Sequence, residues 1–231
     1  MNKPNPLCLA LSLLMGAGVA SAADSPRPDL NRQFLSPALD AGQWVERFEN
    51  EGREIYHQRE DIVRVAGIEP GMTVADVGAG SGLFEPLFAR EVGPEGGVIA
   101  VDIAPKFLEL ISSRMKEQGL ANVSTVLCTE RSVELPAESV DFVFICDTYH
   151  HFAHPEESLG SIHSALKPGG VLMLVEFKRI PGVSSDWTFN HVRAGQEVFS
   201  KEIEAAGFEP FETHDFLQQN YIVKFRKVAK P

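Results

Sequence analysis

The sequence predicts an α/β fold: a mostly parallel sheet with helices on both faces. Two observations carry this. Short, almost wholly apolar runs such as Thr73–Val77, Val98–Val101, Val140–Cys146 and Val171–Phe177 alternate with segments of helical periodicity. Glycine- and proline-rich turns separate them, as at Gly93-Pro94-Glu95-Gly96-Gly97 and Lys167-Pro168-Gly169-Gly170. Strands apolar on both faces belong to parallel sheets covered on both sides.

An apolar face at helical spacing runs from Trp44, Val45 and Phe48 through Ile55, Ile62, Val63 and Ala66. Gly67 and Pro70-Gly71 end it. After the strand at Thr73–Val77, a helix is expected from about Leu83 to Val92. The strand closed by Asp102 is followed by a helix over about 105–118, with Phe107, Leu108, Ile111 and Met115 on one face. Val123–Leu127 and Val140–Cys146 read as strands three and four. A helix over about 156–166 leads to strand five. A helix over about 196–206 precedes two strands near Pro210–His214 and Tyr221–Phe225.

The first residues do not belong to this pattern. Lys3, the apolar stretch Leu7–Val19 and Ala20-Ser21-Ala22 give the charged, apolar and small-residue order of a secretory signal peptide. The reading is a signal peptide over 1–23, a flexible tether over 24–40 and one domain over 41–231, whose first helix lids the pocket. Export to the periplasm is expected, with an uncleaved membrane anchor as the alternative. No stable membrane span is expected after cleavage. Of three cysteines, Cys8 falls in the leader. Cys128 and Cys146 remain, too few for a disulfide framework and without metal-site spacing. The net charge of −11, with no basic run, argues against a nucleic-acid partner. The sequence does not report the oligomeric state.

The chemistry concentrates after strands one, two and four, since such sheets bind ligands beyond their C-terminal strand ends. Strand one leads into Asp76-Val77-Gly78-Ala79-Gly80-Ser81-Gly82. Its alternate glycines allow a tight turn and close approach of a ligand to backbone amides at a helix N-terminus. The spacing is G-x-G-x-G, not the G-x-G-x-x-G of dinucleotide sites, because Leu83 stands where the last glycine would be. Asp102 ends strand two, where a carboxylate accepts from both ribose hydroxyls. Together they imply a nucleoside with a small polar tail.

With these residues in hand, the stretch from Ile68 to Phe177 resembles the class I S-adenosylmethionine-dependent methyltransferase family. Val74–Gly82 is similar to its first motif, Asp102 to its ribose acid, and Leu166-Lys167-Pro168-Gly169-Gly170 to its turn before strand five. Tyr149-His150-His151-Phe152 with Pro155 is similar to the segment after strand four in small-molecule members. The resemblance implies a Rossmann-like seven-stranded sheet with an antiparallel last strand, and S-adenosyl-L-methionine as cofactor. It implies that Asp76, Gly78, Ala79, Gly80 and Gly82 hold the methionine end, with Asp102 and Ile103 at the ribose and Asp147 nearby. The family's acid beside adenine falls here on Arg131, unless a one-residue shift gives the role to Glu130.

The expected activity is methyl transfer to a small molecule. The expected base is His150 or His151, with Asp147 as orienter or alternative base; the pair of histidines equally reads as a helix cap or pocket wall. Tyr56 on the first helix, beside Arg53, His57 and Arg59, and Tyr149, His191 and Arg193 are substrate candidates, with Asn190 and Gln196 close by. The histidines and Arg193 hint at an anionic or phenolic acceptor. His150 and His154 share a face if the helix after strand four begins early; no third ligand is evident, so no metal is expected. Two alternatives use the same fold: a non-catalytic or regulatory binder, and an aminopropyl transferase.

Overall fold

The computed structural model describes residues 30–229; the signal peptide read over 1–23 lies outside them. Seven strands form one sheet: β1 (Thr73–Val77), β2 (Gly97–Asp102), β3 (Val123–Leu127), β4 (Val140–Cys146), β5 (Leu166–Phe177), β6 (Phe208–His214) and β7 (Asn220–Lys227). Their order across the sheet is β3-β2-β1-β4-β5-β7-β6. β7 runs antiparallel to both β5 and β6, and the other pairs are parallel. The fold is the one the sequence predicts.

Side-chain alternation divides the core. Along β4, Val143 and Ile145 face one layer with α6 (Pro155–Ala165) and α8 (Gln196–Ala205). Phe142 and Phe144 face the other, against α3 (Arg59–Ala66) and α4 (Glu85–Val92). This is the period of two expected of a strand buried on both sides. α5 (Pro105–Glu117) lies against β2 and β3, with Ile111 and Met115 buried on its inner face.

Three departures from the sequence reading have local causes. The single helical face from Trp44 to Ala66 is three helices: α1 (Ala41–Phe48), α2 (Glu54–His57) and α3. Asn50 makes the break. Its amide donates to the carbonyls of Glu46 and Arg47 at 3.3 and 2.8 Å, and its Oδ1 accepts from Gly52 N at 3.0 Å. A side chain that satisfies terminal carbonyls in this way ends a helix. The Lys167–Gly170 turn is an excursion within β5: Val140 pairs with Leu166, and Phe142 next pairs with Val171. An unexpected short helix, α7 (Asp186–His191), starts where Ser185 Oγ accepts from Thr188 N.

No helix among the described residues is long and apolar enough to cross a membrane. The sheet opens for a ligand between β1 and β4. From β1 the chain builds outward to β2 and β3, then crosses back to β4 on the other side.

Phe144 is fully buried, with ring centroids 4.8 Å from Phe84 and 5.1 Å from Phe88. Phe144→Ala should cost about 3–5 kcal/mol, the usual range for emptying an aromatic site in a core. Urea unfolding measures it, and a loss under about 1 kcal/mol would contradict the packing.

Candidate active site

The glycine loop turns directly off β1. Gly78 has φ +82°, and a Cβ there would lie 2.2 Å from Thr148 Cγ2, inside any permitted contact. The two strand ends therefore approach as closely as they do only because this residue has no side chain. At Gly82 (φ +79°) a Cβ would meet Ile111 at 2.9 Å, so that glycine lets the loop sit on α5.

Asp102 ends β2 beside this loop. Its Oδ2 accepts from Gly80 N at 2.9 Å and its Oδ1 from Ala104 N at 2.8 Å. Burial nevertheless raises its pKa to about 6, the amides of Ala104, Gly80 and Ile103 opposing the shift. Asp76 is buried behind the loop, and its pKa is well above the usual carboxylate range, through burial first and then the charges of Glu85 and Asp102. Glu85, fully buried at the start of α4, has neither carboxyl oxygen hydrogen-bonded within the chain. Burial pushes it up to about 8. Three acids thus crowd the base of the loop.

Across the crevice, β4 leads into Asp147, held at φ +48°. Its carboxylate lies between Arg53 Nη2 at 2.7 Å and Asn220 Nδ2 at 2.5 Å. A short 3-10 turn, Tyr149–His151, follows. His150 is buried, and its Nδ1 lies 2.8 Å from Glu176 Oε2 on β5. That oxygen also accepts from His150 N at 3.2 Å, while Glu176 Oε1 accepts from Phe177 N at 2.7 Å. His151 and His191 complete a wall of three imidazoles, with ring centroids 4.4 to 5.0 Å apart. Burial pushes the pKa of His151 down to about 3, with help from its two histidine neighbours, and lowers that of His191. Trp187 stacks on His191 at 4.5 Å.

Loop, Asp102 and histidine wall line one cavity of about 570 Å³. Phe34, Trp44, Phe48 and Phe107 roof it, with Phe34 5.0 Å from Trp44 and 5.4 Å from His151. Arg53 lies over Phe48. Cys128 also reaches the cavity; burial raises its thiol to about 12, so it stays protonated at neutral pH.

The structure brings together most of the residues read from the sequence. Gly78, Gly80, Asp102, Ile103, Asp147, His150, His151 and His191 line the cavity, and Asp76, Ala79 and Gly82 shape the loop from behind. Of the two residues offered for adenine, Glu130 lines the cavity and accepts from Asn31 Nδ2 at 3.1 Å, whereas Arg131 is paired with Glu157 at the surface. Five placements depart from the reading. Tyr56 lies under the Arg59 guanidinium, outside the cavity lining. Tyr149 donates to Glu202 at 2.8 Å, and Arg193 pairs with the same carboxylate, so neither reaches the cavity. The carboxylate partner of His150 is Glu176, while Asp147 is engaged by Arg53 and Asn220. His191 stands as a third imidazole beside His150 and His151, where no third ligand was expected, and His154 faces Glu157 instead.

Sequence reasoning missed Glu176, Trp187 and the part of Phe34 and Phe107 in the roof, while the expected lid helix supplies Trp44 and Phe48. The segment read as a tether is packed from residue 30 onward: Asn31 is buried, and Phe34 touches three aromatic rings. Glu176 carried a signal, a lone charge in an apolar strand, which is buried only with partners.

The acid cluster makes a test. A folded-state pKa above the unfolded value means the folded chain holds more protons, so stability falls as pH rises between the two values. Below about pH 6.5, the depressed histidines act in the opposite direction. Between about 6.5 and 8 the raised carboxyl of Glu85 titrates, with that of Asp76 beside it also raised, and stability should fall with pH. Urea unfolding of wild type and Glu85→Gln across that window checks it; the slope should flatten in the variant, and an equal slope would refute the assignment.

Residues 68–224 match a family described as a methyltransferase domain. The ubiquinone/menaquinone biosynthesis C-methyltransferase UbiE of Bordetella parapertussis is 32% identical over 115 residues, covering 50% of this chain and 44% of that protein. The protein of the same name from Ectopseudomonas mendocina is 34% identical over 121 residues, covering 52% and 47%. The chain spans about half the length of the curated relatives it matches. A solved SAM-dependent methyltransferase from Aquifex aeolicus superposes with a TM-score of 0.73 at 24% identity, covering 82% of this chain and 99% of that one, a likeness of fold. The matched segment holds the glycine loop, Asp102, Asp147, Glu176 and all three histidines, and the chain belongs to the methyltransferase-domain family.

Proposed function

We propose that this chain transfers a methyl group from S-adenosylmethionine to a small acceptor with an aromatic body and an ionisable oxygen. One observation carries the reading: the glycine loop and Asp102 open onto the same cavity as an imidazole wall backed by a buried carboxylate.

The loop side fits S-adenosylmethionine. Asp102 has lone-pair capacity left beyond its bonds to backbone amides, and it opens onto the cavity beside Gly78 and Gly80. Asp76, Glu85 and Asp102 are held toward their protonated forms, and a bound cation would favour release of those protons and so be stabilised by the carboxylates. Asp102 would hold the ribose hydroxyls, Gly78 and Gly80 the methionine end, and Glu130 would lie toward the base. When bound, S-adenosylmethionine supplies an electrophilic sulfonium methyl carbon and is released as S-adenosylhomocysteine.

The chain's own residues do the rest. With Nδ1–H given to Glu176, His150 keeps its Nε2 lone pair for an acceptor O–H. Fixing acceptor and methyl carbon in line is the larger part of the catalysis of such a displacement. The aromatic roof and Trp187 present flat apolar faces to the cavity that suit a flat ring. The relatives' printed role in quinone biosynthesis agrees with a phenolic or hydroquinone-type acceptor. An anionic acceptor loses support, since Arg193 is engaged by Glu202 away from the cavity. The charged, apolar and small-residue order read over residues 1–23 supports an activity outside the cytosol, with an uncleaved membrane anchor as the alternative.

Two measurements test the reading. Calorimetry should show saturable S-adenosylmethionine binding that falls about tenfold in Asp102→Asn, roughly the 1.4 kcal/mol of a hydrogen bond to a charge. Since the Asp102 carboxylate is the accepting form, affinity should also fall as pH drops through about 6. Acceptor-dependent release of S-adenosylhomocysteine, screened over phenols and hydroquinones, tests catalysis. Glu176→Gln should lower that turnover by about 10²-fold, at the low end of proton-transfer catalysis, with S-adenosylmethionine affinity unchanged. Failure to bind S-adenosylmethionine would sink the reading. Binding without release under any acceptor would favour a regulatory binder, and transfer of an aminopropyl group would favour the polyamine alternative.

A further inference from the structure

We infer that His150, His151 and His191 form a binding site for one divalent transition-metal ion of the zinc type, with an open coordination position facing the acceptor end of the cavity. The inference deepens the reading above, on which its catalytic meaning rests; the site itself stands on geometry.

One nitrogen from each ring lies within 4.8 Å of the others. Bonds of about 2.1 Å at tetrahedral angles bring such nitrogens to roughly 3.4 Å, so the rings must converge by at most about 1.4 Å. With His150 held by Glu176, rotation about the side-chain torsions of His151 and His191 supplies a movement of that size. The ligands come from two elements far apart in sequence, the turn after β4 and the end of α7, so helical spacing does not account for their meeting.

Three further features point to an ion. Glu176 binds the Nδ1 side of His150, which leaves Nε2 for a metal; a carboxylate behind a ligating histidine is the usual outer support of such sites. The Nδ1 of His151 is buried and has no hydrogen-bond partner within the chain. A buried nitrogen in that condition is costly unless something outside the chain satisfies it. All three rings line the cavity, and Asp147, an acid on its wall, is held by Arg53 and Asn220. Three protein ligands and an unfilled position make a catalytic rather than a structural arrangement. Imidazole donors suit zinc, copper, nickel and cobalt over magnesium or calcium.

An ion here replaces the hydrogen bond from acceptor to imidazole with a metal–oxygen bond. It lowers the pKa of that oxygen as it does for bound water, and the proton leaves to solvent. With the phenolate oxygen held on the ion, the acceptor's nucleophilic atom, a ring carbon or a second oxygen, would attack the methyl carbon as the sulfonium C–S bond breaks; S-adenosylhomocysteine leaves, and the proton displaced from that atom passes to solvent.

The test needs no turnover. The tag-free chain is titrated with zinc chloride by calorimetry and with cobalt(II) by visible absorption. One ion per chain should bind, cobalt giving the bands of a low-coordinate, nitrogen-ligated centre. His191→Ala and His151→Ala should each weaken zinc at least tenfold, and Glu176→Gln by about 10- to 100-fold. S-adenosylmethionine affinity, measured on the same samples, should stay within twofold in all three, which also shows that the variants are folded. No saturable 1:1 binding, or equal zinc affinity in wild type and both alanine variants, overturns the inference. That result leaves methyl transfer standing if S-adenosylmethionine still binds, whereas zinc binding without S-adenosylmethionine binding keeps the metal site and removes the methyltransferase reading.

Discussion

The approach of Gly78 to Thr148 is the constraint on which this molecule is built. The crevice exists because β1 and β4 are neighbours whose chains depart in opposite directions. Two loops leaving adjacent strand ends would normally collide or splay. Here they interlock: a methyl group at Gly78 would lie 2.2 Å from the Thr148 side chain, and Thr148 Oγ1 donates to Cys146 O at 2.9 Å to hold its own loop in place. That single missing Cβ fixes the distance between the glycine loop on one side and Asp147, His150 and His151 on the other. Every functional residue on either wall inherits its position from it.

The two walls are electrostatically unlike. Around the loop, Asp76, Glu85 and Asp102 are crowded and buried, and each is displaced toward its protonated form. Such a cluster is a cost to the empty fold and an attraction to a ligand carrying positive charge. On the opposite wall burial keeps the His151 ring uncharged and lowers the pKa of His191. A nitrogen-rich wall facing a carboxyl-rich one suits two different ligands in one cavity, one cationic, the other a donor of protons or an electron-rich oxygen. Stability is given up on both walls, as is common where buried polar groups serve binding more than folding.

The readable part of the sequence was the part set by local rules. Strand periodicity, glycine spacing and the position of Asp102 depend on neighbours a few residues away, and β1, β2 and β4 appear where expected. The unread part depended on tertiary register. Asp147 looked like the partner of His150 because it is close in sequence. Yet β4 pairs with β5 so that Cys146 lies beside Val175, which brings Glu176 level with the residues that follow β4. A strand neighbour therefore took the place assigned to a chain neighbour. Asn31 and Phe34 were hidden for a different reason: turn-rich composition reads as tether, although one buried amide and one ring suffice to dock such a segment on a finished cavity. Asn50 shows the limit of periodicity, since the apolar face continued through a helix end that a single side chain imposed.

Glu176 joins these threads. It is fully buried at the C-terminal end of β5, and it accepts from His150 N, His150 Nδ1 and Phe177 N. A carboxylate so enclosed is stable only while its donors are fixed, and those donors include the ring whose orientation the site requires. The ring and the carboxylate therefore specify one another, and neither can rotate without leaving a buried group unpaired. His150 is thus held with one nitrogen committed inward and the other directed to the cavity before any ligand arrives. Rigid commitment of that kind does little for a helix cap or a plain pocket wall. It is what a proton acceptor or a metal ligand needs, because both act through a lone pair whose direction must be set in advance.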